Sequence, residues 1–548
     1  GSWESFGDDV SGIFGYEVSV NDGLIYPWTA IGDVNTKKLD GLDLAHGSTY
    51  SFDVRASDKA GNTSAMASSN GIQVDTQAPS SSVSILSDFY NQQFWDQSIQ
   101  IQGLASDGTN ESGLVSVEIT IQNTTNGNYY NGNGWRTEAT WLLPQGTDAW
   151  SFDFPSGELI DGHDYVITSR ATDAVGNTQT EYGQDSFTYD NSEPESSFQF
   201  AEPFYGPIVL DSETVIQGTS FDAYSGIGTV DVRLRDETTG GSNWNGMEWT
   251  FEDHWFRAEG QENWTYSLGS NILTDGHVYT VFIRSTDLTG NQETTPAYSG
   301  FTFDSSLPSS QVLVEREFYN TNNWSDVNSI SGISQDSVSG VDSMDISILR
   351  TSDNYWWNGT SQWVTNETWL EPSGLENWTY ALNLNNLVNG VSYVVYSRAT
   401  DVTGNVQTEF GIDTLTYDVT NPNAGSVYDG LIENTDQSWS SSTTTMSANW
   451  SGFNDVTSGI HLYEYSIGST PGATNILTWT EGGQETSFTE DVALVTGSTY
   501  YTSVRATDGA GNVSNISTSN GVTIDAIDPV VTDVIEGDPS FDQDYQQS

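Results

Sequence analysis

The chain is 548 residues long, contains no cysteine, and carries 75 acidic against 14 basic residues, a formal charge of −61. The length sets a prior of three to five domains, and the missing cysteine excludes disulfides and thiolate metal sites. The charge disfavours nucleic acid and anionic lipid and attracts cations, while 53 Gly, 26 Tyr, 22 Phe and 19 Trp favour β structure.

The chain opens at Gly1-Ser2 with no initiator Met, as expected of a processed product or an excerpt. A first unit runs from Trp3-Glu-Ser-Phe6 through Ser11-Gly12-Ile13 to Arg55-Ala-Ser-Asp58-Lys-Ala-Gly61-Asn62. That last motif returns at Arg170-Ala-Thr-Asp173 with Gly176-Asn177, Arg284-Ser-Thr-Asp287 with Gly290-Asn291, Arg398-Ala-Thr-Asp401 with Gly404-Asn405, and Arg505-Ala-Thr-Asp508 with Gly511-Asn512. Its Asp positions are 115, 114, 114 and 107 residues apart, and Pro79, Pro194, Pro308, Pro422 and Pro529 keep the same beat. A fixed period of this size means an array of repeats. The predicted domains are 1–78, 79–193, 194–307, 308–421 and 422–528, with 529–548 opening another. Short linkers containing Pro are stiff, so neighbours are expected to stack end to end.

In the second unit Val115, Val117, Ile119 and Ile121 alternate with polar residues, as do Val230, Val232 and Leu234 in the third and Met344, Ile346 and Ile348 in the fourth. Period two predicts strands with one buried face. A second inner strand follows at Trp150-Phe152-Phe154, Trp264-Tyr266-Leu268 and Trp378-Tyr380-Leu382. Ahead of each Arg motif a Gly stands three residues before a Tyr, from Gly47/Tyr50 to Gly497/Tyr500, which suits a tyrosine corner. Units two to four share a Phe-Tyr pair near their start (Phe89-Tyr90, Phe204-Tyr205, Phe318-Tyr319) and an aromatic insertion, whereas the fifth matches the first, with Trp450-Ser-Gly-Phe453 and Ser458-Gly459-Ile460.

These motifs predict an all-β chain of tandem immunoglobulin-like or fibronectin type III-like sandwiches. Over its whole length the chain resembles the bacterial immunoglobulin-like and fibronectin type III-like repeats of large secreted surface proteins. The resemblance implies a binding or spacer role outside the cell.

Acidic residues recur in register: Asp75/Asp107/Asp173, Asp190/Asp222/Asp287, Asp304/Asp336/Asp401 and, at altered spacing, Asp418/Asp455/Asp508. In an immunoglobulin topology the loops after the second and sixth strands lie where the preceding linker enters, so each trio should converge. Converging carboxylates suit a hard cation, and Ca²⁺ takes six to eight oxygens. Some adhesin repeats of this class are stiffened by Ca²⁺ between domains. The same aspartates could equally cap turns through backbone N–H groups.

Trp135/Trp141/Trp150, Trp249/Trp255/Trp264 and Trp363/Trp369/Trp378 keep spacings of 6 and 9, and Tyr130, Trp244 and Trp357 each precede an Asn-Gly, a hairpin signal. The last Trp of each set reads as core. Tyr129, Tyr130, Trp244, Trp356 and Trp357 are the candidates for a glycan or partner surface. No nucleophile elbow, phosphate loop or zinc motif is present, and the His are scattered, so no catalytic residue is assigned.

The expected function is therefore a non-catalytic structural segment of an extracellular adhesin, appendage or filament, with Ca²⁺ as cofactor. Its expected partners are other copies or adjacent segments of the same protein, with surface glycans next. The rival is a set of glycan-binding or spacer modules from a secreted hydrolase. Aligning Trp3 on Trp450 leaves the first unit without two strands, while 530–548 starts a further unit. Head and tail are then complementary, and the tail is expected to be extended against a first unit of a neighbouring copy or adjacent stretch.

Overall fold

Alternation sets the architecture. In strand Leu114–Asn123 the side chains of Val117, Ile119 and Ile121 are buried together, and Tyr165, Ile167 and Ala171 of strand His163–Asp173 join them. The computed structural model describes residues 1–4, 6–97, 101–109, 111–212 and 216–532. It is a series of tandem β-sandwiches. The chain divides into two compact units, Gly1–Ala201 with Thr214–Leu268 and Val278–Phe301, and Glu202–Glu213 with Gly269–His277 and Thr302–Ser548.

In the second repeat one sheet has the order Trp135–Arg136, Asn128–Tyr130, Leu114–Asn123, His163–Asp173, Gly183–Tyr189 and Phe89–Tyr90. Its partner sheet is Ala149–Phe152, Ile101–Ser106 and Ser80–Ile85. The fourth repeat reproduces both, with Val341–Arg350 against Val391–Asp401 at the centre of one and Ile330–Gln335 at the centre of the other. In the fifth, Ile460–Gly468 and Thr499–Asp508 face Ser426–Asp429, Thr445–Ser451 and Ser487–Asp491. The third repeat pairs Ile216–Phe221 with Asn263–Tyr266 and Ile227–Asp236 with Val278–Asp287. The first has one sheet, Tyr26–Gly32, Ile13–Val20, Phe52–Asp58 and Ala67–Ser68, plus the pair Thr49–Tyr50 and Ile72–Gln73. Among its described residues no three-stranded sheet faces these strands, and Ile72 is exposed where Val522 of the fifth repeat is buried. The expectation for 530–548 falls largely outside the described residues, since 533–548 are not among them.

The tyrosine corner is present. The hydroxyls of Tyr50, Tyr165, Tyr393 and Tyr500 accept the backbone N–H five residues upstream at 2.8, 2.8, 2.6 and 3.0 Å. Gly162, three residues before Tyr165, sits at φ +74°, a turn conformation that disfavours a side chain. The Phe-Tyr pair of the second and fourth repeats forms a short parallel edge strand beside Gly183–Tyr189 or Gly411–Tyr417. The helices that follow, Gln92–Trp95 and Thr321–Val327, bury Trp95 and Trp324, whose indole N–H groups donate to the Phe154 and Leu382 carbonyls at 3.0 Å.

Candidate metal centre at the repeat boundaries

Two loops and one strand end build each site. A strand-terminal Asp continues the parallel edge: Asp190 and Asp418 donate their N–H to the Tyr90 and Tyr319 carbonyls at 2.8 Å. The loop after the second strand supplies another Asp. In the third repeat Asp222 Oδ1 accepts the N–H groups of Tyr224, Ser225 and Gly226 at 3.0, 2.8 and 2.8 Å. The Asp-x-x-Gly-Asn loop supplies the last. Asp287 Oδ1 accepts Gly290 and Asn291 N–H at 2.7 and 2.8 Å, and its Oδ2 accepts the Asn291 amide at 2.7 Å. A β-bulge recurs where the second strand of each pair meets this loop, as between Ile227 and Thr229 opposite Asp287, and turns the carboxylates toward one another.

Each boundary is clamped from both sides. Asn177, Asn291, Asn405 and Asn512 donate their side-chain N–H to the backbone carbonyl of Asp75, Asp190, Asp304 and Asp418 at 3.3, 3.0, 3.2 and 2.9 Å. The Oδ2 atoms of those four aspartates accept from Ser112 N, Ser225 N, Ser339 N and the Ser458 hydroxyl at 2.8, 3.1, 3.0 and 2.7 Å. In all four sets a carboxylate oxygen from each of three aspartates lies within 4.8 Å of the other two. The twelve aspartates thus cap turns and also converge.

The residues fit a hard cation. Asp107 Oδ1 and Asp222 Oδ2 are shielded from solvent and have no hydrogen-bond partner. Burial raises the Asp190 carboxyl above the usual range, and the charges of Asp222 and Asp287 push the same way. Asp508 is raised for the same reasons, burial first, with Asp418 and Asp455 adding to it. An uncompensated ionised pair at such separations costs on the order of 3 kcal/mol at an effective dielectric of about 20. An all-oxygen donor set suits Ca²⁺, with water and carbonyls filling the remaining positions.

The first boundary has two further groups that the spacing pattern did not reveal. Its loop Asp107–Gly113 is two residues longer than Asp222–Gly226 and carries Glu111, whose hydrogen bond to Asp107, with burial next, raises its carboxyl. His46 Nδ1 accepts Thr76 N–H at 3.2 Å and lies 3.5 Å from Asp75 Oδ1. The insertion was the available signal for Glu111.

The aromatic candidates divide. The inserted hairpins form as the Asn-Gly signals predicted, pairing Tyr130 with Trp135, Trp244 with Trp249 and Trp357 with Trp363. Tyr130 and Trp357 are only 4 % and 3 % exposed, which corrects their assignment to a partner surface. The hairpin folds back, and Tyr130 meets Phe154 edge-on at 4.9 Å in the core. Trp244 is half-buried against Trp249, Trp356 half-buried against Tyr396, and Tyr129 half-buried beside the core position.

The motif arginine has a role that sequence reasoning left unread. Arg55, Arg170, Arg284, Arg398 and Arg505 lie over Trp28, Trp141, Trp255, Trp369 and Trp479 at 4.3, 3.9, 4.0, 4.1 and 4.5 Å. Each also faces a carboxylate on the adjacent strand, Glu17, Glu118, Asp231, Asp345 or Glu464. The stack covers part of the outer sheet face and holds the middle Trp of each spacing set flat.

No protein-family model matches the chain, and no curated protein matches it. The chain is similar to tandem repeats of bacterial adhesins. One is the Ca²⁺-stabilized adhesin with which an Antarctic bacterium binds ice, at 16 % identity and TM-score 0.27, covering 82 % of this chain and 100 % of that one. Another is a tetra-tandem repeat from the extending region of a large adhesion protein, at 15 % identity and TM-score 0.30, with the same coverage of 82 % and 100 %. Fibronectin(III)-like modules of Clostridium thermocellum CbhA match at 10 % identity and TM-score 0.23, over 41 % of this chain and 100 % of theirs. At these scores the likeness adds nothing to what the sheets themselves show.

Proposed function

We propose that the chain is a non-catalytic structural segment of an extracellular cell-surface adhesin or appendage. Five sandwiches meet at Pro79, Pro194, Pro308 and Pro422, with a further one opening at Pro529, and divalent cations, Ca²⁺ first, tie each repeat to the next. The observation that carries this reading is the fourfold recurrence of an aspartate triad drawing one carboxylate from one repeat and two from its successor. Asp75, Asp107 and Asp173, with their counterparts up to Asp418, Asp455 and Asp508, would hold the ion. Neutralisation of their charge is what the ion supplies. The surrounding Ser and Asn donors hold the carboxylates in place beforehand, so little ordering remains for binding to accomplish.

The test is calorimetry in chelator and in about 1 mM Ca²⁺, a concentration suited to extracellular modules. An ion that binds only the folded state adds about 2.7 kcal/mol per site at a hundredfold excess over its Kd, or several degrees of melting temperature for a small sandwich. Asp287→Ala is expected to remove that increment at the boundary between the second and third repeats and leave the last boundary responsive. Identical unfolding in chelator and Ca²⁺ would leave the aspartates as turn caps alone.

A further inference from the structure

The boundary between the fourth and fifth repeats shows what covers the end of a repeat. Asp418 is fully buried: its N–H reaches the Tyr319 carbonyl, Oδ1 accepts Thr420 N–H at 3.0 Å, Oδ2 accepts the Ser458 hydroxyl and its carbonyl accepts Asn512. Phe318, paired with Thr416 in the parallel edge, lies against Gly509, and Asn323 donates to the Ala510 carbonyl at 2.8 Å.

The end of the fifth repeat carries half of this arrangement. Asp525 donates its N–H to the Ser440 carbonyl at 2.8 Å, as Asp418 does to Tyr319, and its Oδ1 accepts Ile527 N–H at 3.1 Å, as Asp418 accepts Thr420. Yet Asp525 is exposed, and among the described residues its Oδ2 takes no hydrogen bond. Trp439 pairs with Thr523 in the same parallel register as Phe318 with Thr416, and it is 63 % exposed.

The opposite end of the first repeat carries the other half. Asp8 Oδ2 accepts Ser11 N–H at 3.0 Å and the Ser11 hydroxyl at 2.7 Å, a loop built like the one in which Asp455 accepts Thr457 and Ser458. Asp58 accepts Asn62 N–H at 2.8 Å and its amide at 2.7 Å, as Asp508 accepts Asn512. Asn62 is exposed, and among the described residues its amide reaches no linker carbonyl of the kind Asn512 finds at Asp418. Asp8 and Asp58 are half-buried where Asp508 is buried, and Val10 beside them is wholly exposed.

Each group missing at one end is present at the other. Asp525 offers a free Oδ2 and a carbonyl, and Ser11 and Asn62 are the donors that satisfy the equivalent atoms of Asp418. We propose that the fifth repeat docks the first repeat of a second copy of this chain, Asp525 completing an aspartate triad with Asp8 and Asp58 of that copy around a divalent cation. This rests on the cation reading of the four internal triads. Trp439 then packs on the Asp58–Asn62 loop as Phe318 packs on the loop after Asp508. Three carboxylates in a chain of charge −61 repel one another, so docking requires the ion. The contact is heterologous and propagates into an open filament unless rotation closes it.

Sedimentation equilibrium of the 548-residue chain over a concentration series tests this, in Ca²⁺ and in chelator. The average mass is expected to rise with concentration in Ca²⁺ alone. Asp525→Asn and Asp58→Asn, both at solvent-accessible positions, should each weaken association roughly tenfold or more, the scale of losing a group that supports a metal site. Each variant keeps one sound end, so an equimolar mixture of the two should form dimers and nothing longer. A chain that stays monomeric in Ca²⁺ while Ca²⁺ still raises its melting temperature overturns the docking and leaves the internal sites standing. Association that survives Asp525→Asn overturns it as well. Loss of both responses removes the docking and the cation reading together.

Discussion

Asp429, at the end of strand Ser426–Asp429, shows how much a single buried carboxyl can bias one repeat. It has no solvent exposure, Oδ2 accepts Gly521 N–H at 3.1 Å, and Oδ1 has no partner. Burial pushes its pKa up to about 7, and the nearby charge of Asp436 adds to the shift. The unfolded chain ionises this group near pH 4. Below that pH both states hold the proton and the group is neutral in its effect. As pH rises toward 7 the unfolded state loses its proton first, and the native state becomes less stable by on the order of a few kcal/mol, with no further change above. Asp429→Asn is therefore expected to raise the unfolding free energy of the fifth repeat at pH 8 and to leave it nearly unchanged at pH 4. Denaturant titrations of both proteins at the two pH values check this, and an equal effect at both would show that the carboxyl does not titrate as argued. The sequence presented Asp429 as one of 75 acidic residues, and nothing in its neighbours marked it as buried.

At the scale of elements, the tryptophans of the narrow sheet matter most. Trp150, Trp264 and Trp378 are almost fully buried and lie across from Gly103, Gly218 and Gly332 in the strand register. A Cβ on Gly332 would stand 2.1 Å from the Trp378 ring and 2.2 Å from the Gln311 carbonyl, so the indole occupies the space that a side chain there would need. Trp378→Ala is expected to cost ~3–5 kcal/mol in the fourth repeat. Gly332→Ala should cost ~1–3 kcal/mol by overpacking. Both are read from chemical denaturation, and the transition of the fifth repeat should not move. A neutral Gly332→Ala would mean that the two strands separate easily. The tryptophans were legible as an inner strand because Trp378, Tyr380 and Leu382 alternate with polar residues. The glycines were not, because a lone Gly in a strand records only the absence of a side chain and gives no hint of which residue fills the gap.

For the molecule as a whole, charge is the dominant stress. With −61 spread along the chain, like charges oppose compaction, most strongly where three carboxylates meet. Raising NaCl from ~0.05 to ~0.5 M shortens the Debye length from ~14 to ~4 Å. In chelator this should raise the melting temperature, and in saturating Ca²⁺ the same change should do much less because the triads are already neutralised. Scanning calorimetry at the two salt levels, with and without Ca²⁺, reads the difference. Equal salt slopes would mean that the triads contribute little to the overall repulsion.

Periodicity determined what is local or repeated. Strand faces follow from period two, the tyrosine corner from a Gly three residues before a Tyr, and the convergence of Asp190, Asp222 and Asp287 from a constant beat that places equivalent loops at equivalent ends. Only the tertiary structure decided which face an inserted hairpin turns inward. Tyr129 and Tyr130 are adjacent in sequence, yet Tyr130 enters the core and Tyr129 does not. It alone also decided that the motif arginine stacks on a tryptophan, since residues 29 positions apart meet only when strands already aligned by the core bring Trp141 beneath Arg170. Spacing along a chain fixes what lies on the same face of one strand, whereas contacts across strands depend on register, and register is set by the packing of both sheets.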